Sequence, residues 1–148
     1  MVEDNCLFCN GPEGIEKNLV KRYDNWTVFV NLNQEHLGRC IVKLNRHIVD
    51  FFKITEEERK ELFGTVVPEL KESLNKAFDP DLFNYASLGN CVRHLHLHVI
   101  PRYKDEREFE GVVFRDKNWN NDYKPYDKEF EVSEDVRHSI AAELRDNI

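Results

Sequence analysis

The sequence is short of glycine and proline, with 6 and 5 in 148 residues. That scarcity, beside 2 Trp, 5 Tyr and 10 Phe, excludes a disordered or low-complexity chain. No apolar run approaches the ~18 residues that a membrane-spanning helix needs. The start, Met1-Val2-Glu3-Asp4-Asn5, is acidic and lacks the basic-then-apolar layout of a secretion signal. A soluble, cytoplasmic protein is expected. Positive charge is also scarce: 21 Lys+Arg against 28 Asp+Glu give −7 with histidine neutral. That deficit excludes a general nucleic-acid polymer binder, which needs a basic footprint. It leaves room for a small anion held locally.

What is present is enough for a core. The chain is 41% hydrophobic, and a domain of this length buries roughly 70% of its unfolded surface. No repeat or linker interrupts it, so a single domain over residues 1–148 is expected. Four cysteines, Cys6, Cys9, Cys40 and Cys91, do not form a disulfide framework in a reducing compartment. Cys6 and Cys9 form a C-x-x-C pair that calls for a metal or redox explanation. Cys40 and Cys91 read as buried packing residues.

Patterning gives an α+β domain, with an antiparallel sheet of about five strands and helices packed against it. Strands are expected at Leu19–Tyr23, Trp26–Val30, Arg39–Leu44, Phe83–Leu88 and Arg93–Pro101, with a sixth at Val112–Phe114. Gly11-Pro12 marks a turn. Thr55 to Phe78 has the four-residue recurrence of a long helix, opened by a capping box at Thr55 and Glu58. Pro68 falls inside it and should kink or split it. Glu134 to Asp146 is a C-terminal helix, with Ser133 as its N-cap.

The informative segment is Arg93-His94-Leu95-His96-Leu97-His98-Val99-Ile100-Pro101-Arg102. Strand alternation would put His94, His96 and His98 on one face and Leu95, Leu97 and Val99 on the other. Three imidazoles in a row could be a solvated polar face, a three-histidine metal site or a catalytic row. Imidazole suits the last because its pKa of about 6.5 makes it nucleophile and proton carrier near neutral pH.

That segment resembles the H-φ-H-φ-H-φ-φ signature of the histidine triad (HIT) superfamily of nucleotide hydrolases and transferases. Cys6-Leu7-Phe8-Cys9 resembles its C-x-F-C start, and Phe29-Val30-Asn31 the strand end that meets a ribose. Gly38, Ile41-Val42 and His47 resemble its G-H-x-L-V-x-P-x-x-H stretch. Asn84-Tyr85-Ala86-Ser87-Leu88-Gly89-Asn90 resembles the N-x-x-x-L-G-N phosphate loop of a diadenosine polyphosphate hydrolase-like subgroup. The likeness spans residues 6–103, with 104–148 as a C-terminal extension.

The resemblance implies a catalytic set of His94, His96 and His98. His96 is the nucleophile toward the α-phosphorus of a dinucleoside polyphosphate or related nucleotide, giving a nucleotidyl-histidine that water releases. His98 binds phosphate oxygens and helps move protons. Asn84 and Asn90 meet phosphate, Asn31 meets ribose, and Leu7, Phe8, Phe29 and Leu32 form the slot for the base. Relatives that transfer nucleotides usually show H-x-H-x-Q, so His98 points to hydrolysis. The alternatives are a nucleoside phosphoramidase or nucleotidyltransferase of the same superfamily, or a nucleotide- or zinc-binding module without catalysis. A structural zinc held by Cys6, Cys9, His47 and His94 is implied, as is a homodimer.

One position departs from the pattern. The family's His after the glycine is here Arg39, whose guanidinium fork suits phosphate oxygens. Three histidines facing one site, flanked in sequence by Arg93 and Arg102, reconcile the acidic total with a locally positive pocket. The extension should shape the leaving-group pocket, with Trp119, Tyr123 and Tyr126 its aromatics to watch.

Overall fold

Trp26–Val30 forms the strand that its β-branched and aromatic residues predict, and all five of its residues are buried. It is β2 of a five-stranded antiparallel sheet with β1 (Leu19–Arg22), β3 (Cys40–Leu44), β4 (Leu82–Ala86) and β5 (His96–Arg102). The strand order is β1-β2-β3-β5-β4. This computed structural model describes residues 4–148, and of residues 12 and 14 the backbone only. Met1, Val2 and Glu3 of the acidic start lie outside the described residues.

Helices cover one face of the sheet. α3 (Glu56–Glu61) opens with the expected capping box between Thr55 and Glu58. Leu62–Val66 then widens into a π-turn, and α4 (Val67–Phe78) follows with Pro68 in its first turn. The π-turn is the physical answer to Pro68. A proline has no N–H for the helical ladder and its ring crowds the carbonyl one turn back, so the ladder opens just before it. The C-terminal helix, α5 (Glu134–Asp146), is capped by Ser133, which accepts from the Val136 N–H. Leu62, Leu70 and Leu74 from the split helix join Ile140 and Leu144 from α5 over Trp26, Val28, Val42 and Leu44. Two polar bonds key these layers. The Trp26 indole N–H donates to the Glu58 carbonyl at 2.9 Å, and the Ser73 hydroxyl to the Leu144 carbonyl at 2.7 Å.

Gly38 joins the loop into β3 to α4. Its φ is +85°, and a Cβ there would lie 2.7 Å from Leu74 Cδ2 and 3.1 Å from Phe78 Cδ2. Gly38→Ala combines left-handed strain with overpacking and should cost about 2–3 kcal/mol. A urea midpoint unchanged from wild type would contradict that.

The structure adds to or shifts the sequence reading at three places, while the sixth strand lies at Val112–Phe114 as expected. Residues 6–17 carry two short helices, α1 (Leu7–Asn10) and α2 (Pro12–Lys17), with Gly11 between them. A separate hairpin, β6 (Arg107–Phe109) with β7 (Val112–Phe114), stands outside the main sheet. Strand β5 begins at His96, not Arg93. Before it, Leu95 donates its N–H to Ile48 O at 2.7 Å and its carbonyl accepts from Leu44 N at 3.1 Å. Leu95, Leu97 and Val99 still face the core, and His94 and His96 stay together on the opposite side, both against Phe8.

Candidate active site

A cleft of about 440 Å³ opens over the sheet at β2, β3 and β5. That volume suits a nucleoside-sized ligand. One wall is apolar, formed by Leu7, Phe8, Ile15, Phe29, Leu32 and Ile41. Ile15, Phe29 and Ile41 pack as a small cluster, with Phe8 against it. Leu7 and Leu32 are 67% and 66% exposed, so they rim the slot and do not belong to the core. The other wall holds Asn31, Arg39, Asn90, His96, His98, Lys124 and Tyr126.

The two strand histidines have different tautomers, and their neighbours determine which. His96 Nδ1 lies 2.6 Å from the His94 carbonyl oxygen. A carbonyl only accepts, so Nδ1 carries the hydrogen and Nε2 keeps its lone pair. His98 Nδ1 lies 3.2 Å from Arg39 Nη2. A guanidinium only donates, so here Nδ1 accepts and Nε2 carries the hydrogen. The rings sit 5.0 Å apart between centroids. Burial lowers the pKa of His96 from its ordinary value. Burial, then the charge of Arg39, lowers that of His98 to about 3. Both imidazoles are therefore neutral at pH 7. The site thus presents one bare ring nitrogen and, beside it, one N–H donor. The Ser87 hydroxyl donates to the His96 carbonyl at 2.9 Å and fixes the strand there.

Beside the cleft, Cys6, Cys9, His47 and His94 bring one ligand atom each to within 4.8 Å of one another. Cys6 Sγ is 3.3 Å from His94 Nδ1; Cys9 Sγ is 3.5 Å from both His47 Nδ1 and His94 Nδ1. The two Nδ1 atoms are 3.2 Å apart. Bonds of about 2.3 Å to sulfur and 2.1 Å to nitrogen give tetrahedral edges of about 3.6 Å for S···N and 3.4 Å for N···N. The cluster therefore has the donor types and near the spacing of a four-ligand metal centre. His94 Nε2 lies 2.7 Å from Leu44 O and donates to it, which aims the Nδ1 lone pair at the cluster. Burial lowers its pKa to about 4, so it is neutral as a ligand must be. Phe8 meets both His94 and His96 edge-on, at 5.7 and 5.0 Å between centroids.

Of the residues singled out in the sequence, Leu7, Phe8, Phe29, Asn31, Leu32, Arg39, Asn90, His96 and His98 all line the cleft. Asn84 does not. It pairs with Ile100 in the ladder, and its Oδ1 accepts from Arg102 Nη1 at 2.7 Å in an adjoining groove that Trp119 also lines. The flanking arginines do not serve the cleft either. Arg93 is exposed beside Cys6, and Arg102 is buried in an ion pair with Asp116. Cys40 is buried as expected, but Cys91 is exposed and faces the cleft. Sequence reasoning missed Lys124. It follows a stretch without periodicity, and only its place beside Tyr123 and Tyr126 hinted at a role.

The HIT domain matches residues 13–105. The chain is 30% identical over 147 residues to "Protein hit" of Bacillus subtilis (strain 168), covering 95% of each. Among solved structures, it is similar to a Hit-like protein involved in cell-cycle regulation from Bartonella henselae. That likeness has a TM-score of 0.71 at 17% identity, over 100% of this chain and 99% of the other. It is similar also to a Zn-bound histidine triad family protein from Mycobacterium smegmatis, with a TM-score of 0.58 and 21% identity over 96% of each. At these identities the two structures bear on the fold alone. No helix among the described residues is long and apolar enough to cross a membrane.

Proposed function

The chain belongs to the HIT domain family, and from that premise we propose that it is a nucleotide hydrolase of the diadenosine polyphosphate hydrolase-like kind. It cleaves at the α-phosphate through a nucleotidyl-histidine. One observation carries this reading: His96 donates its Nδ1–H to a backbone carbonyl, leaving a bare Nε2 beside the Nε2–H of His98.

The chemistry follows from those two tautomers. The Nε2 lone pair of His96 forms a bond to the α-phosphorus. The bond from that phosphorus to the bridging oxygen breaks, and its electron pair leaves on the outgoing phosphate. Nδ1 becomes more acidic as Nε2 is phosphorylated, and the His94 carbonyl holds its hydrogen throughout. Water then attacks phosphorus and loses its proton to solvent. The N–P pair returns to Nε2, freeing the nucleoside monophosphate. Splitting one displacement into two is covalent catalysis. His98 donates its Nε2–H to a phosphate oxygen as negative charge builds there. Asn90 serves the phosphate, Asn31 the ribose, and Leu7, Phe8, Phe29 and Leu32 the base. Hydrolysis of diadenosine tetraphosphate in ¹⁸O-water tests this. The label should appear in AMP and be absent from ATP. Label in ATP, or no turnover, overturns it.

We place a structural zinc at Cys6, Cys9, His47 and His94. Four protein ligands leave no open position, so the ion would tie α1 to the sheet and take no part in the chemistry. The donor types and edge lengths support this. Protein purified without added metal should contain about one equivalent of zinc, and less than about a tenth refutes the assignment. We place the enzyme in the cytoplasm, as one domain and a homodimer.

A further inference from the structure

The cleft and the whole protein carry opposite charge. The protein is −7 overall, yet among the described residues Arg39 and Lys124 line the cleft and no aspartate or glutamate does. Arg39 is only 4% exposed. Nη2 bonds to His98, while Nε and Nη1 have no hydrogen-bond partner among the described residues. The rings of Tyr126 and Tyr123 lie 5.0 and 5.7 Å from the guanidinium carbon. Aromatic faces attract the charge but do not replace oxygen acceptors for its N–H groups. Glu35, whose charge Arg39 feels, is turned to the backbone N–H of Asp127. A buried guanidinium with two idle donor atoms is costly until an anion supplies acceptors.

Resting on the hydrolase reading above, we propose that Arg39 and Lys124 form the subsite for the departing phosphate chain. The substrates are then nucleotides whose leaving group is a phosphate or polyphosphate, and nucleoside phosphoramidates are poor ones. The proton inventory points the same way. When a P–O bond to polyphosphate breaks, the electron pair stays on an oxygen that needs no proton near pH 7. When a P–N bond breaks, the pair goes to a nitrogen that must gain one. His98 is a weak source for it. Arg39 occupies Nδ1, so giving up the Nε2 proton would leave an imidazolate. The same two cations stabilise an outgoing anion and disfavour an outgoing ammonium.

The test measures kcat/KM for diadenosine tetraphosphate and for adenosine 5′-phosphoramidate, with wild type, Arg39→Gln and Lys124→Gln. The ratio of the two values is the readout, because damage to His98 or to folding lowers both together. Loss of a charge-assisted pair should reduce the ratio about 30-fold in Arg39→Gln and about 5-fold in Lys124→Gln. Lys124 is exposed, so its variant should fold even if the other does not. A second arm titrates inorganic pyrophosphate by calorimetry, where Arg39→Gln should weaken binding at least about 10-fold. A ratio within about threefold of wild type in both variants, or equal pyrophosphate affinity, overturns the subsite. If wild type hydrolyses neither substrate, the hydrolase reading fails, and calorimetry still decides the anion site.

Discussion

Replacing His96 with alanine should remove the proposed turnover of diadenosine tetraphosphate, by roughly 10⁴- to 10⁶-fold in kcat, the scale seen when a covalent nucleophile is deleted. The size of the loss follows from the tautomers. His98 offers an N–H where a nucleophile needs a lone pair, because Arg39 occupies its other nitrogen. His94 has one nitrogen on Leu44 O and the other in the Cys–His cluster. No other imidazole lines the cleft among the described residues, so nothing can substitute for His96. Folding should survive, since the variant loses one ring hydrogen bond worth about 1 kcal/mol. The assay is a progress curve for AMP release beside a thermal melt. Activity within tenfold of wild type in a folded variant (about 1.4 kcal/mol in barrier) would falsify the nucleophile assignment.

The second large effect lies away from the cleft. Asp116→Ala should cost about 3–5 kcal/mol of stability, because it strands the buried guanidinium of Arg102. The pair has no solvent to fall back on: the Arg102 and Asp116 side chains are 3% and 0% exposed. Arg102 Nε donates to Asp116 Oδ2 at 2.6 Å and Nη2 to Oδ1 at 3.1 Å. Its remaining donors hold Asn84 Oδ1, Asn118 O and Asn121 O. Burial pushes the Asp116 carboxyl up, but the Arg102 hydrogen bond and the nearby charges outweigh it and hold the pKa below the usual value. The stability this confers is present above the unfolded pKa and is lost as pH falls through the folded one. Wild type should therefore lose more stability than the alanine variant on acidification below about pH 4. Urea unfolding at neutral pH measures the first effect, and a loss under about 1 kcal/mol contradicts it. Pairing Asp116→Ala with Arg102→Met should recover part of the loss, since the stranded charge is then gone.

Where the sequence could be read, local periodicity was the reason. Trp26–Val30 and Glu134–Asp146 have the expected boundaries, because each pattern is uninterrupted and closed by its own signals. Pro68 announced a break in the helix, although not its form, since a π-turn depends on how the ladder relaxes. Arg102 and Asp116 are 14 residues apart and neither carries a local signal of partnership. Asn84 belonged to a motif, yet strand register gave it to Arg102, and register is a tertiary property. Arg39 was visible as a departure from a pattern. Its burial and its hold on His98 were not, because both depend on Tyr123 and Tyr126, more than eighty residues away.

The short helix α1 belongs to two sites at once. Cys6 and Cys9 at its start and end join the Cys–His cluster, while Leu7 and Phe8 between them form part of the cleft wall. Whatever draws the four cluster ligands together and whatever fills the cleft therefore act on one equilibrium, the docking of this helix. Thermodynamic reciprocity then fixes their relation: each raises the affinity for the other by the same factor. An occupied cleft should slow the escape of an ion from the cluster, and an emptied cluster should loosen the grip on a base.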